Sequence, residues 1–133
     1  MKQFYSCVDA LIPSPLAEQH MIIKNKAIKE GGSITFYASE EYRAVKTQPW
    51  IFIKLKETPG LDGVIFFTAL QFSYGGRFNL KLFNKLIDNN YEVHFARENM
   101  SFSKKNINQD SLIFLLSNSL IFQRDEKELI DIL

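Results

Sequence analysis

The chain has 133 residues, of which 46% are hydrophobic and 14% aromatic, and its formal net charge is +1. This length predicts a single domain, 1–133, and the composition excludes a disordered chain, which needs low hydrophobicity and a large net charge. The near-zero charge argues against a dedicated nucleic-acid binder, and a single cysteine excludes an internal disulfide framework. No apolar run reaches the roughly 18 residues of a membrane span, and the first residues lack the apolar core of a signal peptide. We therefore expect a cytoplasmic protein.

The first part of the chain predicts a strand followed by a helix. Lys2–Val8 is an apolar-rich run typical of a strand, and apolar residues three and four apart predict a helix over Leu16–Glu30. Ser14 is the expected N-cap of this helix, with Pro15 at its first helical position. The pair Gly31-Gly32 is its expected C-cap.

The middle of the chain continues the alternation. Ser33–Ala38 predicts a second strand, and Pro49–Glu57 predicts a short helix. The continuous apolar run within Gly63–Thr68 is typical of a strand that is buried on both faces. Gln71–Arg77 is polar and rich in small residues, which predicts a loop.

The last third predicts another helix over Phe78–Asp88, a fourth strand over Tyr91–Ala96 and an irregular segment over Asn99–Asn108. Gln109–Phe122 is predicted to form a strongly apolar helix, with apolar side chains around nearly its whole circumference. Such a helix needs a second surface to cover it, so we expect the region of about 109–133 at a homodimer interface.

Strict alternation of strands and helices predicts an α/β fold. The expected architecture is a three-layer α/β/α sandwich with a four-stranded, mostly parallel sheet and an additional C-terminal apolar helix. In such sheets the ligand lies beyond the carboxyl ends of the strands, where the strand order reverses. This rule selects four segments, which are Asp9–Ser14, Ser39–Arg43, Thr68–Arg77 and Arg97–Asn99.

These segments contain carboxylates, arginines and an amide, which suit a hydroxyl-rich or anionic small ligand. Carboxylates accept hydrogen bonds from hydroxyl groups, and arginine binds phosphate or carboxylate. The candidate catalytic residues are Asp9, Glu41 and Glu98, and Glu41 or Glu98 would act as general base if burial raised its pKa. The candidate ligand-binding residues are Gln71, Tyr74, Arg77 and Arg97.

Other reactive or glycine-rich features are better explained structurally. Gly75-Gly76 is expected to be a flexible turn rather than a phosphate loop, because the flanking pattern matches neither phosphate-binding motif. Cys7 is expected to be buried, and His94, between Val93 and Phe95, is expected to be a hydrogen-bonded core histidine. No spacing of histidine or cysteine indicates a metal site, and no cofactor motif is present.

The strand-end segments resemble the catalytic domain of serine recombinases over roughly the first hundred residues. The likeness rests on Tyr5-Ser6-Cys7-Val8, Gln19, Glu41, the run 61–65 and the run 93–98. It implies a resolvase-like or flavodoxin-like sheet. Cys7 and Asp9 stand where that family has its arginine and its nucleophilic serine, and the arginines after the third strand are missing. The likeness therefore does not imply recombination.

Most of the chain also resembles the sporadic carbohydrate cluster proteins, a small bacterial family encoded beside surface-polysaccharide genes. The shared features are Glu41-Tyr42, Pro59-x-Leu61-Asp62-Gly63, Gln71-Phe72 and His94-Phe95-Ala96-x-Glu98. This resemblance implies a role in bacterial surface-polysaccharide synthesis. It implies neither a reaction nor catalytic residues.

Three functions stay open from the sequence. The first is a protein that binds or transforms a sugar, a nucleotide-sugar or a related polar metabolite. The second is a non-catalytic dimeric scaffold that binds a protein partner through its apolar terminal helix. The third is a DNA-acting relative of resolvases, which the balance of 16 basic and 15 acidic residues does not favour.

Overall fold

The computed structural model describes residues 1–10, 12–39, 49–74 and 77–116. Within them the chain has an α/β fold, with a mostly parallel five-stranded sheet, a separate two-stranded hairpin and four α-helical segments. In chain order the elements are β1 Lys2–Val8, α1 Leu16–Lys29, β2 Gly32–Ser39, α2 Pro49–Glu57, β3 Gly63–Phe66, β4 Ser73–Tyr74, β5 Arg77–Phe78, α3 Leu80–Asp88, β6 Glu92–Phe95, β7 Met100–Phe102 and α4 109–116.

The large sheet has the strand order β2-β1-β3-β6-β7. Its first four strands are parallel, and β7 pairs antiparallel with β6 at the edge. The register sets Cys7 of β1 beside Ala38 of β2 and Phe66 of β3, and Phe66 beside Phe95 of β6. Corresponding strand ends therefore meet at one edge of the sheet.

The prediction of an irregular segment over Asn99–Asn108 was wrong at its start, because that stretch supplies the fifth strand. The turn from β6 to β7 closes with a 3.1 Å hydrogen bond from the Asn99 amide to the Ala96 carbonyl. Asn99 has a φ of 54°, a left-handed conformation that asparagine tolerates better than most residues. The chain therefore reverses its direction within four residues. The three residues of β7 are too few to show the alternating pattern that predicts a strand from sequence.

The start of α1 also differs from the prediction. Pro15, not Ser14, is the N-cap residue, because its ψ of 139° is extended and the helix begins at Leu16. No side chain caps this end directly, although the Ser14 carbonyl accepts a hydrogen bond from the side chain of Gln19. At the other end the expected glycine termination is confirmed at Gly31, which has a φ of 77°.

The predicted loop of 71–77 and the predicted helix start at Phe78 were also wrong. A 3₁₀ turn, Ala69–Phe72, follows β3, and the strands β4 and β5 pair as a short hairpin. Phe78 belongs to β5, and α3 begins at Leu80 because the Asn79 side chain caps it by accepting from the Leu82 amide. The glycine pair 75–76 lies outside the described residues.

The apolar side chains form two clusters on alternate positions of β1. Phe4 and Val8 pack with Ile23 of α1, whereas Tyr5 and Cys7 pack with side chains of α2 and α3. β3 is fully buried along its length, as its continuous apolar run predicted. The central strands are thus buried on both sides, which leaves their ends and the connecting turns to carry polar groups.

The terminal helix is described only over 109–116. Leu115 is fully buried in the core, whereas Ile113 and Phe114 are 58% and 49% exposed. The predicted extension toward Phe122 and Leu133 lies outside the described residues, as does most of the expected dimer interface. No helix in the described ranges combines the length and the apolarity needed to cross a bilayer.

Candidate functional site

The strand order places a topological switch point between β1 and β3. The chain leaves β1 toward β2 in one direction along the sheet and leaves β3 toward β6 in the other, so the two connections diverge at the carboxyl ends of β1 and β3. Asp9 directly follows β1, and Thr68 lies two residues beyond β3. Both side chains are fully buried. This edge is where the sequence predicted a ligand site.

Gln19 of α1 holds the turn that follows β1. Its side-chain oxygen accepts from the Asp9 amide at 3.0 Å, and its side-chain nitrogen donates to the carbonyls of Asp9 and Ser14 at 2.9 Å each. Gln19 is itself fully buried. One amide side chain therefore satisfies three backbone groups and fixes the position of Asp9 relative to α1.

Gln71 joins the turn after β3 to the end of β1. Its side-chain oxygen accepts from the Thr68 amide at 3.0 Å, and its side-chain nitrogen donates to the Cys7 carbonyl at 3.2 Å. The Cys7 sulfur lies 3.8 Å from the same nitrogen, and Cys7 is buried as predicted. Gln71 is 1% exposed, so it is placed to support the switch point rather than to reach outward from it.

Glu98 ties the β6–β7 turn to the turn after β3. One carboxylate oxygen accepts the Thr68 hydroxyl at 2.7 Å, and both oxygens lie 3.1 Å from the Ala69 amide nitrogen. The Glu98 side chain is 11% exposed. With its oxygens occupied by internal donors, Glu98 is positioned to hold Thr68 and the 3₁₀ turn in place.

Arg97 is the cation that this edge offers to a ligand in the described part of the chain. Its side chain is 44% exposed, one terminal nitrogen lies 3.6 Å from Glu98, and its guanidinium carbon lies 6.0 Å from the ring centre of Phe67. The backbone of Arg97 is anchored by its amide, which donates to the Phe67 carbonyl at 2.9 Å. A guanidinium held on a fixed turn is suited to binding an anionic group.

The structure places four of the seven predicted site residues at the carboxyl edge of the sheet, which are Asp9, Gln71, Arg97 and Glu98. Glu41 lies outside the described residues. Tyr74 and Arg77 are described only as paired positions of the β4–β5 hairpin. The expected meeting of Glu41 and Glu98 stays a prediction.

The sequence prediction of candidate site residues omitted Gln19 and Thr68, which connect the predicted ones. Gln19 is a polar residue four positions before Ile23, on the face of α1 that is buried. A polar residue at such a position is the signal that could have identified it, because a buried amide needs backbone partners. Thr68 ends a buried strand and carried no comparable signal.

A second polar cluster extends along β6, from Glu92 at its amino end to Asn99 in the turn before β7. The Lys26 ammonium is 2.9 Å from Glu30 and 3.0 Å from the Asn99 side-chain oxygen, although Lys26 is only 5% exposed. The Ser101 hydroxyl is 2.9 Å from both Glu30 and His94, and the other ring nitrogen of His94 is 3.0 Å from Glu92. Lys2 of β1 pairs with Glu92 at 3.1 Å, and we call these residues together the amino-edge network.

Two groups of the amino-edge network have shifted pKa values. Burial lowers the pKa of His94, and the hydrogen bond with Glu92 only partly opposes that effect. Burial raises the pKa of Glu30, but hydrogen bonds from Lys26 and Ser101 outweigh it, so the net pKa lies below the ordinary value. The network therefore favours an ionised Glu30 and a neutral His94. His94 is hydrogen-bonded in the core, as predicted.

No cluster of three or more histidine, cysteine, aspartate or glutamate side chains suited to a metal ion occurs within the ranges that the structure describes. Comparisons with models of protein families, with curated proteins and with solved structures found no match to this chain.

Proposed function

We propose that the chain binds a small hydroxyl-rich or anionic metabolite, such as a sugar phosphate or a nucleotide-sugar, at the carboxyl ends of β1 and β3. The observation that carries this proposal is the position of Asp9 and Thr68 directly beyond the adjacent strands β1 and β3, with Glu98 bound to the Thr68 hydroxyl at 2.7 Å. Loops at this position form the ligand site in open α/β sheets generally. Arg97 supplies an exposed cation beside them, which favours a phosphate-bearing ligand.

Our proposal includes two finer points. The strand order β2-β1-β3-β6, with apolar clusters on both faces of β1, supports a three-layer, flavodoxin-like arrangement. The resemblance of the residue pattern to sporadic carbohydrate cluster proteins supports a cytoplasmic role in bacterial surface-polysaccharide synthesis. In that role nucleotide-sugars would be the ligands. The identity of the ligand would then indicate the class of reaction.

The test is a thermal-shift screen of the purified chain against sugar phosphates, nucleotide-sugars and short duplex DNA. A ligand at 100 times its dissociation constant stabilises the folded state by about 2.7 kcal/mol, which raises the melting temperature by several degrees. We expect a shift with one phosphate-bearing sugar class and none with DNA. A panel without any shift would contradict the proposal.

Two matched variants connect a shift to the site. Arg97→Ala removes the exposed cation and should weaken the phosphate-bearing ligand at least tenfold, because a charge-assisted hydrogen bond is lost. Lys56→Ala removes an exposed cation from α2 and should leave the affinity unchanged. Equal loss in both variants would indicate nonspecific attraction to positive charge.

A non-catalytic dimeric scaffold is the second candidate function. The exposed apolar side chains of α4, Ile113 above all, favour it, because a helix surface of this kind is often covered by another chain. Light scattering after size-exclusion chromatography tests it. A dimer that Ile113→Glu converts to a monomer would support the scaffold, whereas a monomeric wild-type chain would contradict it.

A further inference from the structure

Three members of the amino-edge network form a relay of hydroxyl, imidazole and carboxylate. The Ser101 hydroxyl oxygen lies 2.9 Å from Nδ1 of His94, and Nε2 of His94 lies 3.0 Å from Oε1 of Glu92. Glu92 and His94 share one face of β6, and Ser101 is the register partner of His94 on β7. The sheet itself therefore holds the three groups in line.

The hydrogen-bond partners decide how the protons are arranged. An ionised Glu92 can only accept, so Nε2 of a neutral His94 carries the ring proton and donates it to Glu92. Nδ1 is then left with its lone pair toward the Ser101 hydroxyl. Glu30 accepts from the same hydroxyl at 2.9 Å, so one proton of Ser101 faces two acceptors. At rest the hydroxyl donates to Glu30, and Nδ1 of His94 is the neutral base beside it that can accept the same proton.

The relay lies beside a cavity. The cavity has a volume of about 160 Å³, roughly the size that accommodates a benzene molecule. Ser101, His94 and Glu92 line it together with Lys2 and Asn106, whose side chains carry hydrogen-bond donors. A small neutral group fits this volume, and the two carboxylates at its wall disfavour an anionic one.

We propose that Ser101 is the nucleophile of a second site, which acts on esters or thioesters of small acyl groups. His94 is its general base, and Glu92 is a positioning residue that orients the imidazole. The Ser101 oxygen attacks the acyl carbonyl while its proton passes to Nδ1 of His94, and that proton then leaves with the alcohol or thiol. Water, deprotonated by the same nitrogen, hydrolyses the acyl-serine and restores the hydroxyl.

This relay uses the two imidazole nitrogens in the opposite sense to the Ser-His-Asp proteases, in which Nε2 faces the serine. The chemistry requires one free lone pair toward the hydroxyl and one N–H toward the carboxylate, and both senses provide them. The relay shares none of its three residues with the proposed metabolite site. Either proposal can therefore fail without the other.

The experiment uses a fluorophosphonate probe, which phosphonylates an activated serine with loss of fluoride, and locates the adduct by peptide mass spectrometry. We expect a single adduct on Ser101, absent in Ser101→Ala and slowed about a hundredfold in His94→Gln. Ser111→Ala removes a hydroxyl from α4, outside the cavity, and should be labelled like the wild type. Melting temperatures confirm that each variant is folded.

The pH dependence distinguishes a base from a structural histidine. Because burial lowers the pKa of His94, labelling should already be maximal at neutral pH and should fall only below about pH 6.5, the ordinary pKa of a histidine side chain. Glu92→Gln should slow labelling and displace this profile, because the imidazole loses its carboxylate partner.

Several outcomes would overturn the assignment. They are an absence of any adduct between pH 6 and 9, an adduct on another residue, or equal labelling of the wild type and His94→Gln. Mapping the adduct on the wild-type chain keeps the test decisive even if Ser101→Ala does not fold. Hydrolysis of p-nitrophenyl acetate that decreases in the same variants as the labelling rate would support hydrolysis of an acyl-serine as well as the nucleophilic role of Ser101.

Discussion

Two buried glutamine side chains hold the backbone in position around the candidate site. Gln19 and Gln71 are both fully or almost fully buried, and each uses both ends of its amide to bind backbone groups from other segments. Amide side chains suit this task because they donate and accept without carrying charge. Residues of this kind position a site, although they present little surface to a ligand.

The cost of losing such a residue is predictable for Gln19. Gln19→Ala leaves an amide and two carbonyls without their present partners, and each buried, unpaired group costs about 1–3 kcal/mol. Allowing for water entry, we expect the free energy of unfolding to fall by about 2–4 kcal/mol in urea denaturation. Glu18→Ala, one residue away on the exposed face, should change it by less than about 0.5 kcal/mol.

At the scale of elements, the close approach of strands explains a glycine in the middle of the sheet. A Cβ atom at Gly63 would lie 2.5 Å from the Glu92 carbonyl oxygen of the neighbouring strand. Backbone atoms cannot yield as a flexible side chain does, so β3 and β6 would have to separate. No feature of the local sequence around Gly63 indicates which strand approaches it.

Gly63→Ala should therefore destabilise the chain by about 2 kcal/mol or more, within the range of overpacked buried sites. Gly60→Ala is the matched control, because Gly60 has open space around it but a φ of 92°. It should cost only about 1 kcal/mol, the strain of a left-handed alanine. Similar unfolding midpoints for both variants in urea would contradict the steric explanation.

The tie between the turns after β3 and β6 is a second feature at this scale. Glu98→Gln keeps the shape but replaces charge-assisted acceptors with one neutral carbonyl, so the bonds from Thr68 and Ala69 weaken. We expect a loss of about 1–2 kcal/mol in the free energy of unfolding. Glu57→Gln, on the exposed surface of α2, should lower the free energy of unfolding by no more than about 0.5 kcal/mol. An equal loss in both variants would contradict the stabilising role of the hydrogen bonds to Glu98.

At the scale of the whole molecule, the amino-edge network links β1, α1, β6 and β7 through charged and hydrogen-bonded side chains. Lys2 pairs with Glu92, Lys26 pairs with Glu30, and Ser101 joins Glu30 to His94. Because the partners belong to distant segments of the chain, the network forms only when the whole sheet and α1 are assembled. Its titration therefore affects global stability.

The pKa directions predict how global stability depends on pH. The folded-state pKa of His94 lies below that of the unfolded chain, so the unfolded state binds more protons and stability falls as the pH drops below about 6.5. The lowered pKa of Glu30 adds a further loss below about pH 4.5. The free energy of unfolding measured from pH 8 to 5 should decline in the wild type and much less in His94→Gln.

His20→Gln is the control for that measurement, because His20 stacks edge-on against Tyr37 and lies outside the network. The decline between pH 8 and 5 should persist in His20→Gln. A wild-type chain whose stability does not change over this range would contradict the assignment of a neutral, buried His94.

The sequence by itself determined the α/β class, the positions of β1, β2, α1 and α2, and the burial of β3. These features depend on local periodicity and on composition, which neighbouring residues carry directly. The edge strand β7 and the short β4–β5 hairpin escaped prediction, because strands of two or three residues are too short to show a period.

The tertiary structure alone decided which polar residues meet. Asp9 and Gln19 are 10 residues apart, Thr68 and Glu98 are 30 apart, and Lys26 and Asn99 are 73 apart. Strand order and register bring these pairs together, and both are set by packing between distant segments rather than by local pattern. For that reason the carboxyl edge could be predicted as a place, whereas the relay of Glu92, His94 and Ser101 became visible only in the folded chain.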